Sequence, residues 1–436
     1  MPAPGHSTRR DLLAGIAATL AAPAFAQGTA ADVIVVGAGI AGCAAARALT
    51  DAGAQVRVIE ARPRIGGRIH SLRTLGAPVD MGAAWLHGPH GNPLTELARA
   101  ESLRLVATDW ESLLVPGRSR ADITAALERT EAVLERVDAL ADPGTRLSEM
   151  LDRIAPDHRT DPLLRLGLTL YARFDGGAAL EDLDAALWDE DSAFGGPDLL
   201  FAGGADGVLT PLVRGIDIRT GTPVTRIAQD GTGVTVSTAD GQEARAGHVV
   251  VTLPLGVLKA DGVRFEPPLP RRQRGPIARL GAGQVAKVAL AFDRVHWPEG
   301  ADALGSPEDT DLPLFIPVPN APVIVGIAVG HAAPTIEAMS DSVAAGHART
   351  RLSRLLGRDL PAPRAVAVSR WGRDPFAGLA YSVAAPGTSA GDFDALAAPA
   401  GRLHLAGEHT TGAHRGTLHG ALLSGRRAAA AILQDS

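Results

Sequence analysis

The sequence predicts an α/β fold of two domains, and three features carry that expectation. Residues 32–49, DVIVVGAGIAGCAAARAL, give a buried strand from Val33 to Val36, a Gly37-x-Gly39-x-x-Gly42 turn and an alanine-rich helix, and Glu60 ends the next strand, QVRVIE. Residues 122–140, DITAALERTEAVLERVDAL, place Ile123, Leu127, Leu134 and Val137 at helical spacing, as a separate helical layer does. With 436 residues, 46% of them hydrophobic, the chain can bury two cores. The expected architecture is a Rossmann-like nucleotide-binding domain together with a second domain.

Each part of the first feature has a mechanical reason. Gly37 permits the turn, Gly39 lets a pyrophosphate approach the backbone, and Gly42 lets helix and strand pack closely. The helix N-terminus offers unpaired N–H groups to the anion, and Glu60 would accept the ribose hydroxyls. Cys43, the one cysteine, follows Gly42 at the helix start, where a small apolar side chain fits; with no second cysteine, neither an internal disulfide nor a cysteine-based metal site can form.

Composition narrows the partners. The formal charge is -6 with carboxylates scattered along the chain, so the basic stripe that nucleic acid selects is missing. Fifty glycines and 31 prolines without period point to many tight loops. At the N-terminus, STRRDLLAGIAATLAAPAFAQ joins Arg9 and Arg10 to a short apolar run and an Ala24-Phe25-Ala26 cleavage site. The run is shorter than the ~20 residues a membrane span needs and is broken by Pro23, which argues against a stable anchor. Paired arginines after Ser7-Thr8 and before Leu12-Leu13 resemble twin-arginine signals, so residues 1–26 are expected to be removed by export to the periplasm or beyond.

Downstream of Glu60, EARPRIGGRIHS places Gly66-Gly67-Arg68 where a second backbone approach and a cation could meet phosphates. Here the chain resembles the flavin-dependent amine oxidases. The resemblance continues through Asp80-Met81-Gly82-Ala83-Ala84-Trp85-Leu86-His87-Gly88, DLLFAGGADGVLTPLV, TPVTRI, VVVTLPLGVLK, the 284–292 strand ending FDRVHW, RWGRDPFAGLAYS and LAGEHTTGAHRGTLHGALLSG, in the family's order. It implies a Rossmann-like FAD-binding domain from 27–90, 200–265 and 395–436, and an inserted α+β substrate domain from 91–199 and 266–394. GVTVSTADG and HVVVTLP, strand-like around a glycine turn, belong with its second segment. The same resemblance turns Glu60, Arg62, Gly67, Arg68, Gly82, Ala83, Trp85, Val224, Trp371, Glu408, Thr417 and Leu418 toward FAD, with Glu408 on the flavin's sugar chain. The helix beginning near Thr417 would aim its N-terminus at the ring, where a reduced flavin carries negative charge. Ala380 stands where covalently flavinylated relatives have cysteine, which implies non-covalent FAD.

The strand QVAKVALAF raises a separate question. Alternation puts Lys287 on a face with Val285, Ala289 and Ala291, while Ala286, Val288, Leu290 and Phe292 line the other, and both faces are apolar. The chain has 40 arginines and two lysines, Lys259 and Lys287. A buried lysine costs several kcal/mol unless its site offers something back. In the resembling family the matching lysine bonds a water that bridges to flavin N5 and lies where oxygen meets the ring. A compact cation there can stabilise superoxide, and a bulkier, planar arginine would not replace it cleanly.

The reaction implied passes a hydride from the carbon beside an uncharged amine nitrogen to the flavin; the imine is hydrolysed and oxygen leaves as hydrogen peroxide. The protein then acts mainly by positioning. Tyr381 matches one of the two aromatic rings that often flank the flavin, with Trp371 nearby, whereas the second position falls on Thr417. The run AAWLHGPHGNP lacks the arginine with which amino-acid oxidases clamp a carboxylate, and its Trp85-Leu86-His87-Gly88 resembles polyamine oxidases, where this histidine lies in the substrate tunnel. For the remaining ammonium groups of a polyamine the candidates are Asp175 and the run Glu181, Asp182, Asp184, Asp189, Glu190, Asp191, although such a run is commonly a solvated face. Trp85 and Thr417 are further candidates for contact with substrate. His404, His409, His414 and His419 recur every five residues, which fits no familiar ligand spacing, and no metal is expected. Two other readings are an oxidase or dehydrogenase of amino acids or heterocyclic amines and a non-enzymatic, exported FAD-binding factor. Retention of Lys287 and Tyr381 argues against the latter.

Overall fold

The computed structural model describes residues 31–189 and 192–435. The export segment 1–26 and the acids Glu190 and Asp191 lie outside the described residues.

Val33 to Val36 are apolar and buried on both faces, as a central parallel strand must be. The strand Ala31–Val36 lies between Val56–Ile59 and Glu243–Val251, parallel to both. These belong to an eight-stranded sheet ordered 264–266, 224–229, 234–238, 243–251, 31–36, 56–59 and 217–219, with Leu403–Leu405 joining the end of 243–251. The two runs around the glycine turn pair with each other antiparallel. Helix Ile40–Asp51 covers one face together with the C-terminal helix Leu418–Asp435. A Cβ on Gly425 would lie 2.0 Å from the Ala41 carbonyl oxygen, so only glycine allows the two backbones to meet this closely. Cys43 is packed there, its thiol 3.4 Å from the Ala38 carbonyl and its pKa pushed up to about 12, chiefly by burial.

A second sheet runs in the order 365–368, 285–291, 323–329, 314–317, 303–305 and 113–114. Val285–Ala291 is an interior strand of it, antiparallel to both neighbours, so Lys287 does not stand on an edge. The alternation holds: Val285, Ala289 and Ala291 pack with Leu75, Val79 and Trp85 of the 71–86 segment, and Ala286, Val288, Leu290 and Phe292 pack on the helices Ala332–Ala338 and Asp341–Leu355. Beside this sheet lies a helical layer of Arg120–Leu140, Leu147–Ile154 and Pro162–Leu168, the first opened by a capping box between Ser119 and Asp122. One π-helical turn, Thr169–Phe174, ends the layer next to the site. A small three-stranded sheet, Trp85–Leu86 with Leu199–Phe201 and Leu105–Ala107, joins the two halves.

Candidate active site

The nucleotide loop is built as its glycines require. Gly37 has φ of 102°, and a Cβ on Gly42 would lie 2.0 Å from the Gly37 oxygen. A Cβ on Gly39 would meet nothing within 4 Å, so this backbone faces open space. Gly67, with φ of 57°, brings the GGR segment against Gly39, and Gly66 N–H donates to the Ala38 carbonyl at 2.8 Å. Glu60 is buried and accepts from the amides of Ala38 at 2.7 Å and Arg62 at 2.8 Å. A carboxylate at a strand end, a backbone cradle with room before it and a helix N-terminus together fit a dinucleotide. Gly39→Ala is therefore expected to fold but to bind flavin weakly, whereas Gly42→Ala loses the folded domain; flavin absorbance and far-UV dichroism separate the two outcomes.

The other residues expected at FAD have the following partners. Arg62 pairs with Asp374 at 2.7 Å and lies over the Phe376 ring. Val224 begins the strand beside the Thr222 amide, which donates to the Glu60 carbonyl. Gly82 lies under the Trp371 ring, whose Nε1 donates to the Met81 carbonyl at 2.9 Å, and the Ala83 amide donates to the Arg68 carbonyl. Arg68 donates to Glu408 at 2.8 Å and to the Ala380 carbonyl at 3.0 Å. Glu408 is buried and also accepts from the Ser382 hydroxyl at 2.6 Å and the Gly416 amide at 3.0 Å. Burial alone would raise its pKa, but Arg68, His409 and Ser382 outweigh it and hold the carboxyl below the usual range. Thr417 caps the last helix, its hydroxyl accepting from the Gly420 amide at 3.0 Å, and Leu418 opens that helix against the first domain's core.

Lys287 reaches from the second sheet into the first domain. Its ammonium donates to the carbonyls of Asp80 at 3.0 Å and Gly82 at 2.7 Å, and stands 5.5 Å from the centre of the Trp85 ring. Burial pulls its pKa down to about 8, with the Asp80 carboxylate resisting. Two of three donors are spent on the loop that carries Gly82, Ala83 and Trp85. A cavity lies against it, lined by Asp80, Trp85, Leu200, Ile316, Val325 and Ile327 among others. Trp85, Trp110 and Phe174 form an aromatic group beside that cavity, Trp85 being 6.1 Å from Trp110 and 5.6 Å from Phe174 between ring centres. Tyr381 donates its hydroxyl to the Phe174 carbonyl, and burial raises the phenol's pKa. Gly177 and Gly416 lie against the Tyr381 ring.

At the other end of the small sheet, His87 Nδ1 lies 2.9 Å from Asp198 Oδ1, and Trp110 Nε1 donates to Asp198 Oδ2 at 3.0 Å. Burial would raise the Asp198 pKa, but His87 and Trp110 bring it below the usual carboxylate range. Asp198 is not among the acids that the sequence suggests. The acids that it does suggest disperse. Glu181 and Asp182 flank His331 at 3.5 and 3.0 Å, and Asp184 is fully buried, accepting from the amides of Gly144 and Ala186. Asp184 is thus a structural cap, not part of a solvated run. Asp175 is exposed just after the π-helical turn, and Asp189 is exposed as well. The four recurrent histidines form no single group: His404 meets His248 at 3.3 Å, His409 is buried beneath Gly407, and His414 and His419, with ring centres 4.9 Å apart, both contact Phe194.

A dinucleotide cradle in one sheet, and an interior strand of the second sheet that sends a buried lysine to the carbonyls of Asp80 and Gly82, define a dinucleotide-binding enzyme fold. The chain belongs to the flavin-containing amine oxidoreductase family, whose model matches residues 40–140 and 102–433. It is 35% identical over 430 residues to polyamine oxidase 4 of Oryza sativa subsp. japonica, covering 91% of this chain and 88% of that one. With polyamine oxidase 2 of Arabidopsis thaliana it shares 35% over 428 residues, covering 91% and 87%. Lysine-specific histone demethylase 1 homolog 2 of Arabidopsis thaliana is 34% identical, with 93% of this chain but 59% of that protein covered. Wild-type putrescine oxidase bound to putrescine has the same fold, with a TM-score of 0.76 at 21% identity over 93% of this chain and 99% of that one. The protein is a flavin-dependent amine oxidoreductase, with FAD as its cofactor.

Proposed function

We propose that the protein oxidises di- or polyamines, passes the electrons to oxygen and releases hydrogen peroxide. The observation that carries this reading is the buried Lys287 ammonium at a cavity whose aromatic wall leads to the His87–Asp198 pair. Likeness to polyamine oxidases over nine-tenths of the chain supports it. Bound FAD supplies the acceptor for a hydride from the carbon beside the substrate nitrogen. The residues of this chain do the positioning. Lys287 repels a substrate ammonium, so the nitrogen nearest it reacts uncharged, and the Trp85, Trp110 and Phe174 rings form an apolar wall beside the alkyl chain. The product imine hydrolyses in water to an aldehyde and an amine.

An amine panel tests this. Diamines and triamines are expected to bleach the flavin without oxygen and to yield peroxide with it. Faster bleaching by amino acids or heterocyclic amines would move the substrate elsewhere, bleaching without peroxide would mark a dehydrogenase, and no bleaching by any amine would leave an FAD-binding factor.

We also propose that the protein is exported, folded and loaded, by the twin-arginine route. Arg9-Arg10 before a short apolar run and an Ala24-Phe25-Ala26 site support this, as does a dinucleotide that has no assured supply outside the cytoplasm. No helix among the described residues is long and apolar enough to cross a membrane. Replacing Arg9 and Arg10 together by Lys is expected to leave holoprotein in the cell, as read by flavin fluorescence in periplasmic and cytoplasmic fractions. Undiminished export of that variant contradicts the proposal.

A further inference from the structure

We propose that Asp198 binds a second, charged nitrogen of the substrate and thereby makes the site selective for di- and oligoamines over monoamines, an inference that rests on the amine-oxidase reading above and extends it. The small sheet sets the geometry. Trp85 pairs with Leu200 and Leu86 with Leu199, so His87 and Asp198 follow as the next opposed positions. Side chains alternate along strands, which puts His87 on the face of Trp85 and Asp198 on the face of Leu200. That is the face of the Lys287 cavity, because Trp85 and Leu200 both line it. Leu86 and Leu199 point the opposite way, into the core under the nucleotide-binding helix.

The two ends of this face differ in charge. At one end Lys287 stands 5.5 Å from the Trp85 ring centre, and the backbone of Asp198 lies two residues beyond Leu200, a rise of about 7 Å along the strand. A substrate with one reacting, uncharged nitrogen and one ammonium therefore has a single favourable orientation, its ammonium away from Lys287 and toward Asp198. A rise of that order, about 7 Å, is the length of a few methylene groups, and the Trp85 and Trp110 rings along it attract a cation and pack methylenes. Asp198 is held in place for a cation, since one oxygen takes His87 and the other takes Trp110, which fixes the carboxylate while two donors leave part of its accepting capacity unused. Its side chain retains 25% of its exposure and that of His87 47%, so both are open to a ligand. The carboxylate that lines the cavity itself, Asp80, is spent on the Ser71 hydroxyl and the Ala205 amide.

The test is Asp198→Asn, which keeps size and can still meet His87 and Trp110. Holoprotein is reduced without oxygen, so that no turnover occurs, and titrated calorimetrically with 1,4-diaminobutane and with butylamine. In the wild type the diamine binds the tighter, and in Asp198→Asn the ratio of the two Kd values falls about tenfold to a hundredfold, the worth of a charge-assisted hydrogen bond. The selectivity in KM for flavin reduction falls in parallel. Asp198→Glu, which keeps the charge, retains most of the ratio. An unchanged ratio in Asp198→Asn, or equal loss in the Asn and Glu variants, overturns the proposal. If no amine reduces the wild-type flavin, the oxidase reading fails, and the calorimetric ratio still decides the role of Asp198.

Discussion

Lys287→Met is expected to slow the reaction of the reduced protein with oxygen by about two orders of magnitude while changing reduction by amine far less. Where charge appears decides this. Hydride removal from a neutral amine puts little new charge beside Nζ, whereas electron transfer to oxygen creates an anion, which the buried Lys287 cation can stabilise. Losing a preorganised cation there is worth ~3 kcal/mol, which is the hundredfold. Lys287→Arg recovers only part, because the guanidinium cannot fit the compact geometry between the Asp80 and Gly82 carbonyls. A pH dependence follows from the same group. With its pKa lowered to about 8, the lysine loses its charge as pH rises through that value, so the oxygen rate falls there in the wild type and stays flat in Lys287→Met. Stopped-flow traces of the two half-reactions between about pH 6 and 10 check both statements. An unchanged oxygen rate in Lys287→Met with flavin still bound would make the lysine only a tie for the 80–82 loop.

What can be read from sequence is local. The faces of the 285–291 strand follow from alternation within seven residues, and the cradle from glycines within six, so neither depends on distant parts of the chain. The His87–Asp198 pair joins residues 111 apart, and Trp110 reaches Asp198 across 88. In GGPDLLF, Asp198 looks like an ordinary acid of a glycine-proline turn; only the antiparallel pairing of 85–86 with 199–201 brings it to the histidine. Asp184 shows the converse. It sits in a run that reads as a solvated face, yet its two oxygens take the Gly144 and Ala186 amides in the core, a tertiary role that no spacing announces. The motifs suggest Arg68 and Glu408 each as a residue for FAD, but they do not reveal them as partners, being 340 positions apart.

That pair makes the second large effect. Arg68→Met is expected to cost ~3–5 kcal/mol of stability at neutral pH, because it leaves Glu408 buried without its countercharge. The sign of the pH dependence makes the prediction specific. In the wild type the folded carboxyl lies below its ordinary value, so ionised Glu408 adds stability that is full above the unfolded pKa and is lost as pH falls through the folded one. Without Arg68, burial dominates and the folded pKa rises above the unfolded value. The folded state then binds the extra proton, and stability falls as pH rises from about 4 toward neutrality. The other carboxylates are the same in both proteins, so the difference in melting temperature between wild type and Arg68→Met is expected to widen from about pH 4 to 7. Glu408→Gln in the Arg68→Met background removes the stranded charge while keeping an acceptor for Ser382 and Gly416, and should close much of that gap at about pH 7. A gap that is flat with pH, or a double variant no more stable than Arg68→Met, would show that Arg68 stabilises the fold through its bond to the Ala380 carbonyl and not through Glu408.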